Sequence, residues 1–89
     1  MLSVNKKLYQ VLRLNFGIQK TNISEHTNII QAFNLCDWEL ELLYYKIENA
    51  FNIEIKKPVP KDEISFKKLE DAVLEILFNN LIIDKLLKK

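Results

Sequence analysis

The stretch DWELELLYYKIENAF, residues 37–51, decides the fold. Leu40, Leu43, Tyr44, Ile47, Ala50 and Phe51 recur there at three- and four-residue steps, the period of a helix with one buried face. Asp37 suits the N-cap, where a carboxylate accepts a free backbone N–H and complements the helix dipole. Asn52 is a reasonable stop. Ile53-Glu54-Ile55 alternates but is too short to found a sheet, and Pro58 and Pro60 bar a helix through Lys57 and Val59. A helix of this length depends on neighbours to cover its apolar stripe, so the flanking chain must supply them.

Upstream, Ser3 is a plausible N-cap, and Val4, Leu8, Val11 and Leu12 fall on one helical face behind it. Phe16-Gly17 ends that helix, because glycine tolerates the left-handed conformation after a last turn. From Ile18 to Leu35 no clean period appears. Ile23, Ile29, Ile30 and Phe33 punctuate an otherwise polar segment, which predicts a loop packed onto the core. Downstream, a short helical turn is expected over Lys61–Ile64. Ser65 then caps a last helix whose inner face is Phe66, Leu69, Val73, Ile76 and Leu77. Asn79-Asn80 is expected to interrupt it, leaving residues 81–89 as an amphipathic tail.

The expectation is therefore all-α: one domain over residues 1–89, with three main helices, a short helical turn, and a long anchored loop between the first and second helices. Leu40, Leu43, Ile47 and Phe51 should face Val4, Leu8, Val11, Phe66, Leu69, Val73 and Ile76. On that arrangement Phe51→Ala costs ~3–5 kcal/mol.

Composition agrees and removes whole classes of function. One glycine and two prolines in 89 residues are too few for a barrel or sandwich of many short strands. Thirteen basic and twelve acidic residues leave a net charge of +1, so no global field recruits nucleic acid or an anionic membrane. A single cysteine, Cys36, excludes an internal disulfide and a cysteine-based metal cage. A single histidine, His26, leaves nothing from which to build a zinc site or a Ser-His-Asp triad, and it reads as a solvent-facing loop residue. No nucleophile–base pair is visible, so no enzyme activity is expected. No apolar run approaches the ~20 residues of a spanning helix or forms a signal peptide, and a reducing cytoplasm is the expected compartment.

From Ile23 to Ile55 the chain resembles the acyl carrier proteins. Their loop carries Ile-x-x-x-Thr, matched here by Ile23 and Thr27. Their centre, Asp-Leu-Gly-Leu-Asp-Ser-Leu, is answered by Ala32-Phe33-Asn34-Leu35-Cys36-Asp37-Trp38. Their helix ends Glu-x-x-Phe-x-Ile-x-Ile, as in Glu48-Asn49-Ala50-Phe51-Asn52-Ile53-Glu54-Ile55, the most specific part of the likeness. Leu69-Glu70-Asp71-Ala72-Val73 looks like the opening of the family's last helix.

The departure is as informative as the match. Where the family carries the serine that takes 4′-phosphopantetheine, this chain has Asp37, flanked by Cys36 and Trp38. Attachment needs a hydroxyl that attacks the pyrophosphate of coenzyme A. A carboxylate forms no such stable ester, and its charge repels the incoming phosphate. The resemblance thus implies an acyl-carrier-like fold without the prosthetic group, although Asp37 can also imitate a phosphoserine. It implies a protein partner, an enzyme of fatty-acid, polyketide or related metabolism, read by the second main helix. The residues that would meet it are Trp38, Glu39, Glu41, Leu42, Tyr45 and Glu48. Trp38, Leu42 and Tyr45 share a face away from the core stripe, and Trp38 has two readings: partner patch, or a cover over the loop at Phe33 or Ile30. Cys36, without a nearby base, reads as a small apolar filler. Two alternatives stand beside this one: a true carrier with its serine elsewhere or substituted, and a structural or oligomerisation module on the same scaffold.

Overall fold

The computed structural model of the chain describes residues 4–19 and 24–87, with side chains as far as 83. Ser3 and Ile23 lie outside the described residues. The fold is all-α: α1 (Val4–Phe16), α2 (Ile29–Phe33), α3 (Asp37–Phe51), a 3-10 turn (Lys61–Glu63) and α4 (Phe66–Leu87). Helix α1 packs on both α3 and α4.

Local chemistry sets most boundaries. Gly17 takes φ 67°, and its N–H and that of Ile18 donate to the carbonyls of Arg13 and Leu12 at 3.1 and 3.2 Å. Two otherwise free carbonyls at the end of α1 are thereby satisfied. Asn34 and Asn52 end α2 and α3 in the same left-handed conformation, at φ 52° and 54°, which asparagine tolerates better than most side chains. Ser65 Oγ accepts the Lys68 N–H at 3.2 Å and so caps α4.

The core is made of Leu8, Val11 and Leu12 from α1, Leu40, Leu43 and Ile47 from α3, and Phe66, Leu69 and Val73 from α4. Ile18, Ile29 and Ile64 close it from the connections. Phe66 is the largest fully buried side chain. Its ring stacks on Tyr9 of α1, centroids 3.8 Å apart and 15° from parallel, an aromatic contact that adds to simple burial.

The connections are stitched to one another rather than left as coil. Ile29 N–H donates to Ile64 O at 3.0 Å and Lys67 N–H to Glu25 O at 2.8 Å, around an isolated antiparallel bridge between Asn28 and Ser65. Asn28 works twice. Its Oδ1 caps α2 by accepting the Gln31 N–H at 3.0 Å, and its Nδ2 donates to Lys61 O at 3.2 Å.

Four expectations need correction. The segment expected as a plain anchored loop contains α2, five residues held by the Asn28 and Asn34 caps and by burial of Ile29. Asn79-Asn80 does not interrupt the last helix, which runs unbroken to Leu87. Two asparagines cost a helix interior only about 0.7 kcal/mol each at most, less than the run of Leu and Ile around them gains in continued backbone bonding. Cys36, not Asp37, occupies the N-cap of α3, so Asp37 is already the first helical residue. Phe51 and Ile76 are half-buried rather than central, Phe51 lying on the core edge with Lys7 Nζ 5.2 Å from its ring centroid.

The position of Phe51 moves the largest packing penalty elsewhere. Phe66→Ala is expected to cost about 3–5 kcal/mol and to leave the chain largely unfolded, because a fully buried ring leaves a cavity. Phe51→Ala should cost about half as much, since its cavity opens to water. Urea denaturation followed by far-ultraviolet dichroism ranks the two, and an equal or reversed order would contradict this core.

Candidate functional site

Helix α3 has a patterned outer face. Successive residues turn by about 100°, so Leu40, Leu43 and Ile47 line one side, while Trp38, Leu42 and Tyr45 line the opposite side. The first three are buried. Of the second three, Trp38 is 66% and Tyr45 58% exposed, and Leu42 is half-buried between them. Trp38 therefore does not fold over Phe33 or Ile30. An indole left this open at the head of a helix costs hydration free energy that folding does not recover.

The start of α3 is held by side chains on both flanks. Cys36 caps the helix in an extended conformation, φ −90° and ψ 174°. Its N–H and its Sγ–H both donate to Glu39 Oε1, each at 3.1 Å. That is the reciprocal half of a capping box, in which a carboxylate three residues in reaches back to the cap. The Cys36 N–H first, and the thiol second, hold the Glu39 carboxyl below its ordinary range. Glu39 is thus spent on the helix start, and Cys36 is an exposed capping residue rather than an apolar filler.

Asp37 projects into solvent and forms an ion pair with Lys61 Nζ of the 3-10 turn. Both groups are well exposed, so the pair contributes at most about 1 kcal/mol. It positions the turn against the first residue of α3, which sequence reasoning missed because Lys61 lies 24 residues away.

The far end of the helix is also committed. Glu48 Oε2 accepts the Ile55 N–H at 2.8 Å and fastens the extended strand of chain that follows. Tyr44 does the same further on: the Val59 N–H donates to its hydroxyl at 2.9 Å, and the hydroxyl donates to Val59 O at 3.3 Å. Burial raises the Tyr44 phenol above its ordinary value. Of the acidic residues expected at a partner surface, only Glu41 is exposed, whereas Glu39 and Glu48 are half-buried and hydrogen-bonded.

A concavity of about 360 Å³ lies by the far end of α3 and is lined by Glu54, Lys56, Lys57, Glu75, Ile76 and Asn79, among others. Its lysines and carboxylates offset one another, and it lacks the largely apolar lining of a small-molecule site. Among the described residues, no group of three or more His, Cys, Asp or Glu could hold a metal ion. No helix among them is long and apolar enough to cross a membrane. His26 is exposed beside Glu25, 3.8 Å away.

Two measurements test this geometry. Because its folded pKa is depressed, Glu39 adds stability above its ordinary value of 4.5, and that stability is lost as pH falls through the lower folded value. Amide exchange in the first turn of α3 should accelerate over that interval, and Glu39→Gln should abolish the pH dependence. Trp38→Ala should change the melting temperature by no more than a surface substitution does, within about 0.5 kcal/mol, whereas a marked drop would return the indole to the core.

Comparison with known proteins adds no relative to this geometry: no family model, no curated protein and no solved structure matches the chain.

Proposed function

We propose that this chain is an acyl-carrier-protein-like module that acts by docking rather than by carrying. In this reading α3 engages an enzyme of fatty-acid, polyketide or related acyl-chain metabolism, and no 4′-phosphopantetheine is attached. The observation that carries the reading is Asp37. It stands exposed at the first turn of α3, at the position where the resemblance puts the attachment serine, and it offers a carboxylate where transfer needs a hydroxyl.

Three further features support it. The order of elements is the one the resemblance implies: a first helix, a long connection, a central helix, a short turn and a last helix. The exposed Trp38 and Tyr45 sit beside Asp37 on the face where the family meets its enzymes, and tryptophan and tyrosine carry interface energy at little entropic cost. The other described serines are occupied. Ser65 is buried and caps α4, and Ser24 shares a hydrogen bond with Thr27 Oγ1 at 2.9 Å. Neither favours the alternative of a true carrier whose serine lies elsewhere.

The electrostatics of the docking face differ from an acidic one. With Glu39 capping and Glu48 fastened, Glu41 and Asp37 carry the exposed negative charge, and Lys46 lies on the same helix. A partner for this face is expected to offer an apolar cleft for Trp38, with charge at the rim setting association rate rather than affinity.

The test is incubation of the full chain with coenzyme A and a promiscuous phosphopantetheinyl transferase, read by intact mass. No mass gain is expected, and a gain mapped to any serine of the unaltered chain overturns the reading. Asp37→Ser is the complementary arm, since modification of that variant alone places the lost attachment site at residue 37. Docking is read by titrating the chain against a ketosynthase and an acyltransferase of its host while following Trp38 fluorescence. Trp38→Ala should raise the dissociation constant about 30-fold or more.

A further inference from the structure

We propose that residues 54–60 form a strap that opens from α3 as one unit, with the Tyr44 hydroxyl as its clasp. The chain after α3 is tied along one flank of that helix. Asp37, Tyr44 and Glu48 follow one another at steps of seven and four, which places them within about 40° of each other. Their partners come in the reverse order along the chain. The Ile55 N–H donates to Glu48 Oε2, Val59 exchanges two hydrogen bonds with the Tyr44 hydroxyl, and Lys61 pairs with Asp37. The segment therefore runs antiparallel to α3, on the side between the core row and the face of Trp38 and Tyr45.

Its two ends are fixed. The Ile53 N–H donates to Glu48 O at 3.0 Å in the cap of α3, and Lys61 O accepts from Asn28 Nδ2 at 3.2 Å, just ahead of fully buried Ile64. What holds the middle is thin. No residue from 51 to 63 is fully buried, and Ile55 and Val59 only edge the core. From Glu54 to Pro60 the backbone donates from Ile55 and Val59, in both cases to a side chain of α3. Pro58 and Pro60 have no N–H to give. On its other side the strap borders open space, since Glu54, Lys56 and Lys57 share the concavity of about 360 Å³ with Glu75, Ile76 and Asn79 of α4. Few buried apolar contacts and few backbone bonds mark the low end of local stability.

Stiffness makes the opening a single event. Each proline fixes its own φ and holds the residue before it extended, so Lys57-Pro58-Val59-Pro60 behaves as a rod. Pro60 shows the extended geometry, φ −55° and ψ 142°. A swing of this rod about Lys61 lifts Val59 off Tyr44 and carries the chain at Ile55 off Glu48. The flank so bared adjoins Tyr45, and the open form widens the apolar surface that α3 offers.

Amide exchange of the full chain, followed residue by residue by NMR, tests the strap. Protection at Ile55 and Val59 should agree and lie at least about 100-fold below that of buried Ile47. Tyr44→Phe removes the clasp but leaves Glu48 in place, and should lower protection at Ile55 as well as Val59 by about 10-fold. Glu48→Ala is the converse, and protection at Val59 should fall with that at Ile55. In that variant, nitration of Tyr44 by tetranitromethane should rise at least about threefold against exposed Tyr45. Loss of protection confined to the residue whose own partner was removed means two independent contacts and overturns the proposal. Protection at Ile55 and Val59 equal to that of Ile47 overturns it too, because the segment is then part of the core. Tyr44 nitration indifferent to Glu48→Ala overturns the widening of the α3 surface.

Discussion

The three consecutive buried residues Ile64, Ser65 and Phe66 are the constraint on which the rest of the structure depends. They bring the end of the long central connection into the core at the point where α4 begins. The Ile64 carbonyl receives the Ile29 N–H, Ser65 pairs with Asn28 and caps α4, and Phe66 stacks on Tyr9. One short segment thus joins α1, α2 and α4, and the hydroxyl it buries, that of Ser65, has a partner. In a chain of this size a single core has little reserve, so concentrating contacts in one place is an economical solution. It also explains why the two long connections, which look like coil in the sequence, are held in place without a sheet.

That arrangement frees α3 to be two-sided. Its inner face is covered by α1, and its two ends are tied by polar side chains rather than by apolar ones. Cys36 with Glu39 secures the beginning, while Glu48 and Tyr44 secure the chain that leaves it. The acidic residues that most resemble a recognition surface in the sequence are in large part structural. What remains for a partner is an aromatic stripe, Trp38 and Tyr45, with a carboxylate at its head. A surface of that kind recognises shape and apolar area more than charge.

The two exposed apolar surfaces lie on different helices. On the proposed reading the α3 stripe adjoins the lost attachment position, whereas the α4 stripe of Leu74, Phe78 and Leu81 lies beyond Val73, the last buried residue of that helix among those described.

Much of this was legible in the sequence, for local reasons. The bounds of α3 follow from its period, the ends of α1 and α3 from Gly17 and Asn52, and the start of α4 from the Ser65 cap. Trp38 and Tyr45 share a face opposite Leu43 and Ile47, but that placing left Trp38 with two readings until its exposure decided between them; the same spacing argument applied to Leu74, Phe78 and Leu81 would have found the second stripe. Other features depend on partners far along the chain. Helix α2 is too short to show a period and exists because Asn28 and the docking of Ile29 hold it. Asp37 leaves the cap to Cys36, and it meets Lys61 across 24 residues. Glu48 turns from the surface to a backbone N–H seven residues on, and Asn79-Asn80 stays helical because the turns on both sides do. Periodicity and caps are read within a few residues of sequence, so they determined the helices. Which polar groups are spent inside the fold and which are left for a partner was decided only when distant segments met.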